Sequence, residues 1–190
     1  MVDGRQCADE MSKQWKMEKV LIWGDETTHV QAFTCRVIHK DGGGWRMWYK
    51  DERQDSFTCY ADSPDLYEWE YRGRAAEDQA EEGPNVFSFG GTCWMIADVW
   101  DGLAVYRSDD CEHFVRQKEN ILRESGTRRD DQGRGAHADV FVTGGRAFVV
   151  YFTHPENTPR SAVQMAELKI EDGKLICDRN AEFDADWRAE

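Results

Sequence analysis

The 190 residues contain no G-x-S-x-G elbow, no phosphate-binding P-loop, no dinucleotide G-x-G-x-x-G and no H-E-x-x-H. Elbow hydrolases, nucleotide enzymes and zincins therefore have no support. The six cysteines, Cys7, Cys35, Cys59, Cys93, Cys111 and Cys177, include no C-x-x-C pair, which removes zinc-ribbon and redox spacings. Cys35, Cys59 and Cys93 sit in apolar, strand-like runs, so reduced core thiols are the expectation. No stretch approaches the ~18 apolar residues of a membrane helix. Met1–Glu10 is polar and offers no apolar h-region, and a soluble cytoplasmic protein without membrane contact is expected. Basic residues are scarce: 24 Lys+Arg against 37 Asp+Glu leave a net charge of −13. Nucleic-acid backbones and anionic membranes repel such a surface, so neither is an expected partner. No 3.6-residue apolar period is sustained, and only a short helix near Asp9–Lys19 is suggested.

Strand signals fill the chain instead. Hydrophobic residues make up 40% and aromatics 12% of it, with eight tryptophans, enough for a core. Short runs such as Trp45–Tyr49, Cys93–Ile96, Leu103–Tyr106 and Ala147–Phe152 are aromatic and β-branched and are bounded by Gly, Asp or Pro. Asp41-Gly42, Gly90-Gly91 and Gly144-Gly145 supply tight turns between them. The runs repeat as Phe33–Ile38, Trp45–Tyr49, Thr58–Ser63 and Leu66–Trp69, then as Asn85–Phe89, Trp94–Ala97, Gly102–Ser108 and Cys111–Phe114. A third set comprises Asp139–Val142, Ala147–Phe152, Ala162–Leu168 and the residues around Leu175-Ile176. The text Ala61-Asp62-Ser63-Pro64-Asp65-Leu66-Tyr67-Glu68-Trp69 returns as Tyr106-Arg107-Ser108-Asp109-Asp110-Cys111-Glu112-His113-Phe114, and Ser63 and Ser108 stand 108 − 63 = 45 residues apart. Four short strands per unit at that period predict an all-β, propeller-like domain, with repeats at roughly 28–72, 82–117 and 135–180.

The acidic Ala75–Glu82 and the polar Arg123–Gly135 read as crossings between blades, and Trp15–Ile22 as the tail of an earlier blade. Three blades plus part of a fourth make an incomplete propeller, because closure takes at least about four. Open blade edges suggest self-association as one way to cover them.

A propeller's first strands surround its axis, so the starts of the three units converge. They carry His29 and Gln31, then Glu82, then His137 and Asp139. A second ring follows each second strand: Lys50, then Asp98 with Trp100, then His154. Taken singly these residues are ordinary, and Glu81, in an acidic run, reads as a solvated charge.

Several segments carry a more specific likeness: Trp48–Glu52, Ala61–Trp69, Glu82-Gly83-Pro84-Asn85-Val86-Phe87, Trp100–Ser108, His137-Ala138-Asp139-Val140 and Phe152-Thr153-His154-Pro155. Together, over roughly Thr28 to Arg179, they resemble the five-bladed propeller glycoside hydrolases of the family 43-like group. The resemblance implies an oligosaccharide or glycoside ligand and hydrolysis by a carboxylic acid and a carboxylate. It makes Glu82 the general acid and Asp139 a supporting carboxylate that tunes it and holds a sugar hydroxyl. His29 and His137 would bind sugar or a central ion, with calcium at the axis as the ion implied and no other cofactor. Gln31, Lys50, Asp98, Trp100 and His154 would contact substrate, with Trp48 and Trp94 as further stacking surfaces. The pattern breaks where the family's general-base Asp should stand, since residues 1–27 hold Asp3, Asp9 and Asp25 outside any strand-Asp-Pro context. Phe33 and Val99 replace expected prolines, and Glu81 an expected histidine. A non-catalytic carbohydrate-binding or structural remnant of the propeller is therefore the alternative reading. A small β-rich protein unrelated to sugars is the third.

Overall fold

The computed structural model describes residues 35–40 and 42–184. Within them, strands form three four-stranded antiparallel sheets. The first holds β1 (Cys35–His39), β2 (Trp45–Asp51), β3 (Phe57–Ser63) and β4 (Glu70–Ala76). The second holds β5 (Glu82–Phe89), β6 (Thr92–Asp98), β7 (Leu103–Ser108) and β8 (Val115–Arg116). The third holds β9 (Ala136–Thr143), β10 (Arg146–Thr153), β11 (Ala162–Glu171) and β12 (Lys174–Cys177). Each sheet is a meander in chain order, the build of a propeller blade. His29, Gln31, the Asp9–Lys19 helix and the Trp15–Ile22 strand lie outside the described residues.

Two of the expected glycine turns are hairpins of two residues. Phe89 pairs with Thr92 across Gly90-Gly91, and Thr143 with Arg146 across Gly144-Gly145. All four glycines have positive φ, the conformation whose twist matches the flanking strands. The fourth strands are displaced from expectation. Leu66–Trp69 and Cys111–Phe114 are turns, and the strands follow them at Glu70 and Val115. The reason is the repeated Ser-x-Asp text itself. The Ser63 hydroxyl accepts from the Leu66 N–H at 2.8 Å, and Asp65 Oδ1 accepts from Tyr67 and Glu68 N–H at 2.9 and 3.0 Å. In the second sheet Asp110 Oδ1 accepts from Glu112 and His113 N–H at 2.8 and 2.9 Å. Side chains that satisfy backbone donors locally compete with the ladder and hold a turn.

Two cores fill the gaps between sheets. Trp48, Tyr60, Val86, Met95 and Tyr106 pack between the first and second. Trp94, Ile96, Val105, Val149, Tyr151 and Leu168 pack between the second and third. Trp48 and Trp94 are buried, which removes them as sugar-stacking surfaces. The expectation of reduced thiols fails at one pair, since Cys93 on β6 and Cys111 in the turn after β7 form a disulfide. Cys59 is buried and free.

The crossings are anchored by buried carboxylates. Glu81 is buried, not solvated: Thr58 Oγ1 donates to it at 2.5 Å and the Tyr106 hydroxyl at 2.6 Å. Its acidic neighbours hid a residue that faces the gap between two sheets. In the 123–135 loop, buried Asp131 takes the Tyr151 hydroxyl at 3.0 Å and the guanidinium groups of Arg128 and Arg179. Arg179 also donates to the Glu124 and Gly133 carbonyls, so the loop is fastened to the end of the third sheet. Among the described residues no helix is long and apolar enough to cross a membrane.

Candidate functional site

Glu82 opens β5 opposite Asp98, the last residue of β6. A bulge follows at Gly83-Pro84, where the register shifts before Asn85. Gly83 takes a positive φ of 62°, and Pro84 brings no N–H to a ladder already interrupted there. β9 brings His137 to the same end of the sheets, and the end of β2 brings Lys50.

These four side chains meet. His137 Nε2 lies 2.8 Å from Glu82 Oε1, and Lys50 Nζ lies 3.8 Å from Glu82 Oε2 and 3.4 Å from Glu52 Oε1. The polar atoms of Glu82, Asp98 and His137 fall within 4.8 Å of one another. Asp98 is buried and works through the backbone. Its Oδ1 accepts from the Trp100 N–H at 2.8 Å and its Oδ2 from the His137 N–H at 3.0 Å. Trp100 and His137 both have positive φ, 59° and 33°, conformations that bulky residues adopt only when held. One carboxylate thus pins both strained backbones.

The surroundings are aromatic. Lys50 Nζ sits 5.9 Å from the centre of the Trp100 ring, which is 45% exposed. The His137 ring stacks on Phe152, and the His154 ring meets Phe152 in a T-shaped contact at 5.3 Å between centroids. His154 itself is exposed and bonds the Arg160 carbonyl at 3.3 Å. A cleft of about 420 Å³, lined in part by Gly83, Pro84, His137 and Phe152, opens beside the cluster, within the range of small-ligand sites.

Asp139 lines the same cleft, with its bonds made elsewhere than to Glu82. Its Oδ1 accepts from Asn85 Nδ2 at 2.6 Å and Arg36 at 3.1 Å. Each of these three residues comes from the first strand of a different sheet, so the convergence expected of first strands is present, with Arg36 and Asn85 as members that the sequence reading missed. Arg36 gave no signal, being one basic residue in a short run. Asn85 could have been found, since it follows Glu-Gly-Pro directly.

The described donors do not fit the calcium implied for the axis. Calcium takes about six to eight oxygen ligands, whereas the described group that converges near the axis, Glu82, Asp98 and His137, offers two carboxylates and one imidazole.

No protein-family model matches the chain, and no curated protein matches it either. Solved structures do. A thermostable family-43 glycoside hydrolase superposes with a TM-score of 0.61 at 18% identity, covering 82% of this chain and 61% of that one. An endo-1,4-β-xylanase from Bacteroides thetaiotaomicron gives 0.62 at 14% identity, covering 83% and 62%. A family-32 β-fructofuranosidase from Bombyx mori gives 0.61 at 13% identity, covering 86% and 40%. The chain shares the propeller fold of these glycoside hydrolases and spans less than two thirds of their length.

Proposed function

We propose that the end of the sheets carrying Glu82 is a glycoside site, with Glu82 as proton donor to the leaving oxygen. The observation that carries the reading is the convergence of Glu82, His137 and Lys50, with the exposed Trp100 beside Lys50 and a cleft beside His137, on a fold shared with glycoside hydrolases. In hydrolysis the glycosidic C–O bond breaks, the departing oxygen takes the Glu82 proton, and water adds its hydroxyl to the anomeric carbon, losing a proton to a base. His137, at hydrogen-bond distance from Glu82 Oε1, returns a proton to Glu82 between turnovers. Lys50 holds a sugar oxygen, and Trp100 offers its face to the ring.

A second reading, sugar binding without cleavage, is favoured by one observation. Asp98 is buried with both oxygens bonded and does not activate water as the base, while Asp139 has its Oδ1 held by Asn85 and Arg36 and leaves only its exposed Oδ2 for that role. The Cys93–Cys111 disulfide also favours an oxidising compartment over the cytoplasm. A panel of nitrophenyl glycosides, run with wild type and Glu82→Gln alongside calorimetric titration of the free sugars, separates the readings. Turnover that falls about 10²–10⁴-fold in the variant supports catalysis by Glu82. Equal rates remove Glu82 as the donor. Sugar binding without turnover selects the second reading, and neither binding nor turnover overturns both.

A further inference from the structure

Glu81 precedes the proposed proton donor by one residue yet faces the opposite way, into the gap between the first two sheets. Its side chain is wholly buried. Thr58 on β3 donates to one oxygen and Tyr106 on β7 to the other, so a single carboxyl spans both sheets. Its own N–H donates to the Ser56 carbonyl at 3.0 Å, which fixes the backbone just where β5 begins. Among the described residues no Lys, Arg or His side chain bonds to it. The charges that act on it are Asp78 in the crossing and Arg116 on β8, which pair with each other at 3.4 Å, and the Arg116 guanidinium lies over the Tyr106 ring. A carboxyl held by two hydroxyls and no cation is bonded in either protonation state, but as an anion it carries a buried charge that nothing in contact neutralises.

We propose that Glu81 is a positioning residue for this site: a proton-sensitive tie between the first and second sheets that sets how firmly the start of β5, and with it Glu82, is held. The effect on Glu82 rests on the glycoside reading above, whereas the tie itself does not. Burial pushes the Glu81 carboxyl up to about 7, against the lowering by its two hydroxyl donors. The tie is therefore relaxed in mildly acid medium and burdened with a buried charge in mildly alkaline medium. An amide in place of the carboxyl keeps the span and removes the titration.

The test is thermal unfolding of wild type and Glu81→Gln from pH 5 to pH 8.5. Wild type is expected to lose about 5 °C of midpoint relative to the variant as pH rises through 7. Taking the difference between the proteins cancels the histidines common to both. Parallel curves for the two proteins overturn the proposal. Should Glu81→Gln fail to fold, Tyr106→Phe replaces it. Removing a donor to the anion moves the wild-type transition to higher pH, and an unmoved transition counts against Glu81. If the glycoside panel shows turnover, Glu81→Gln is expected to abolish a loss of kcat centred near pH 7 while leaving KM within about twofold. A kcat profile unchanged in Glu81→Gln overturns the link to Glu82 even where the unfolding difference is present. Because unfolding is read without substrate, failure of the glycoside reading leaves the tie decided on its own.

Discussion

Asp98 shows how one side chain can hold a cluster together through the backbone. Its carboxylate satisfies the N–H groups of Trp100 and His137, two residues whose backbones are strained. Asp98→Ala removes two charge-assisted hydrogen bonds and releases both backbones, at an expected cost of about 3 kcal/mol, read as a lowered urea midpoint at unchanged m-value. An unchanged midpoint would show that the strain is held elsewhere. Glu81 contributes to stability with the opposite pH dependence from most carboxyls. Its folded value, about 7, lies above its unfolded one, so the folded protein keeps the proton longer. The stabilisation is complete below about pH 4.5, falls away as pH rises through 7, and amounts to roughly 3 kcal/mol at most. At this scale the sequence was legible where residues open neighbouring units, as Glu82 and His137 do, or end the strand paired with such an opening, as Asp98 does. Glu81 was misread because its partners, Thr58 and Tyr106, are 23 and 25 residues away and leave no mark beside it.

Among the elements, the repeated Ser-x-Asp turn and the paired glycines made the blades visible. Each is a local device whose hydrogen bonds are made within a few residues, and local devices leave local text. The fourth strands were misplaced because that text was taken for the strand when it is the turn leading into it. The disulfide is an element-scale feature of the other kind. Cys93 and Cys111, 18 residues apart with Cα atoms at 5.8 Å, meet only once β6 and β7 have paired. Cys111→Ser, or reduction of the disulfide, is expected to cost about 3 kcal/mol for a closed loop of this length, measured by denaturant unfolding with and without reductant. No difference would place the bond's contribution near zero. The 123–135 loop depends on a charge rather than a crosslink. Arg179→Met leaves Asp131 buried with less compensation and is expected to lose about 3–5 kcal/mol and to open the loop to limited proteolysis. Persistence of the wild-type cleavage pattern would contradict that role.

At the scale of the molecule, three meanders stand with their first strands together, joined by Arg36, Asn85 and Asp139. The 45-residue period made this architecture readable before any coordinates, because a propeller repeats its whole supersecondary unit. The end of the sheets carrying Glu82 was only half readable. A period places residues at equivalent levels but does not say which of them turn toward one another: Glu82 and Asp98 do, while Asp139 turns to Arg36. The acid excess of the chain, with its net charge of −13, includes buried carboxylates that fasten crossings, Glu81 and Asp131, and does not lie in the Glu82 cluster alone.

The central claim is that Glu82 delivers a proton to a leaving oxygen. Its most direct test compares wild type and Glu82→Gln on two glycosides of the same sugar, one with a dinitrophenol leaving group and one with a simple alcohol. A departing alcohol needs the proton and a dinitrophenolate does not. The account predicts a loss of about 10²-fold or more on the alcohol glycoside, with the dinitrophenyl glycoside nearly spared. Equal losses on both would show that Glu82 serves the site in some other way.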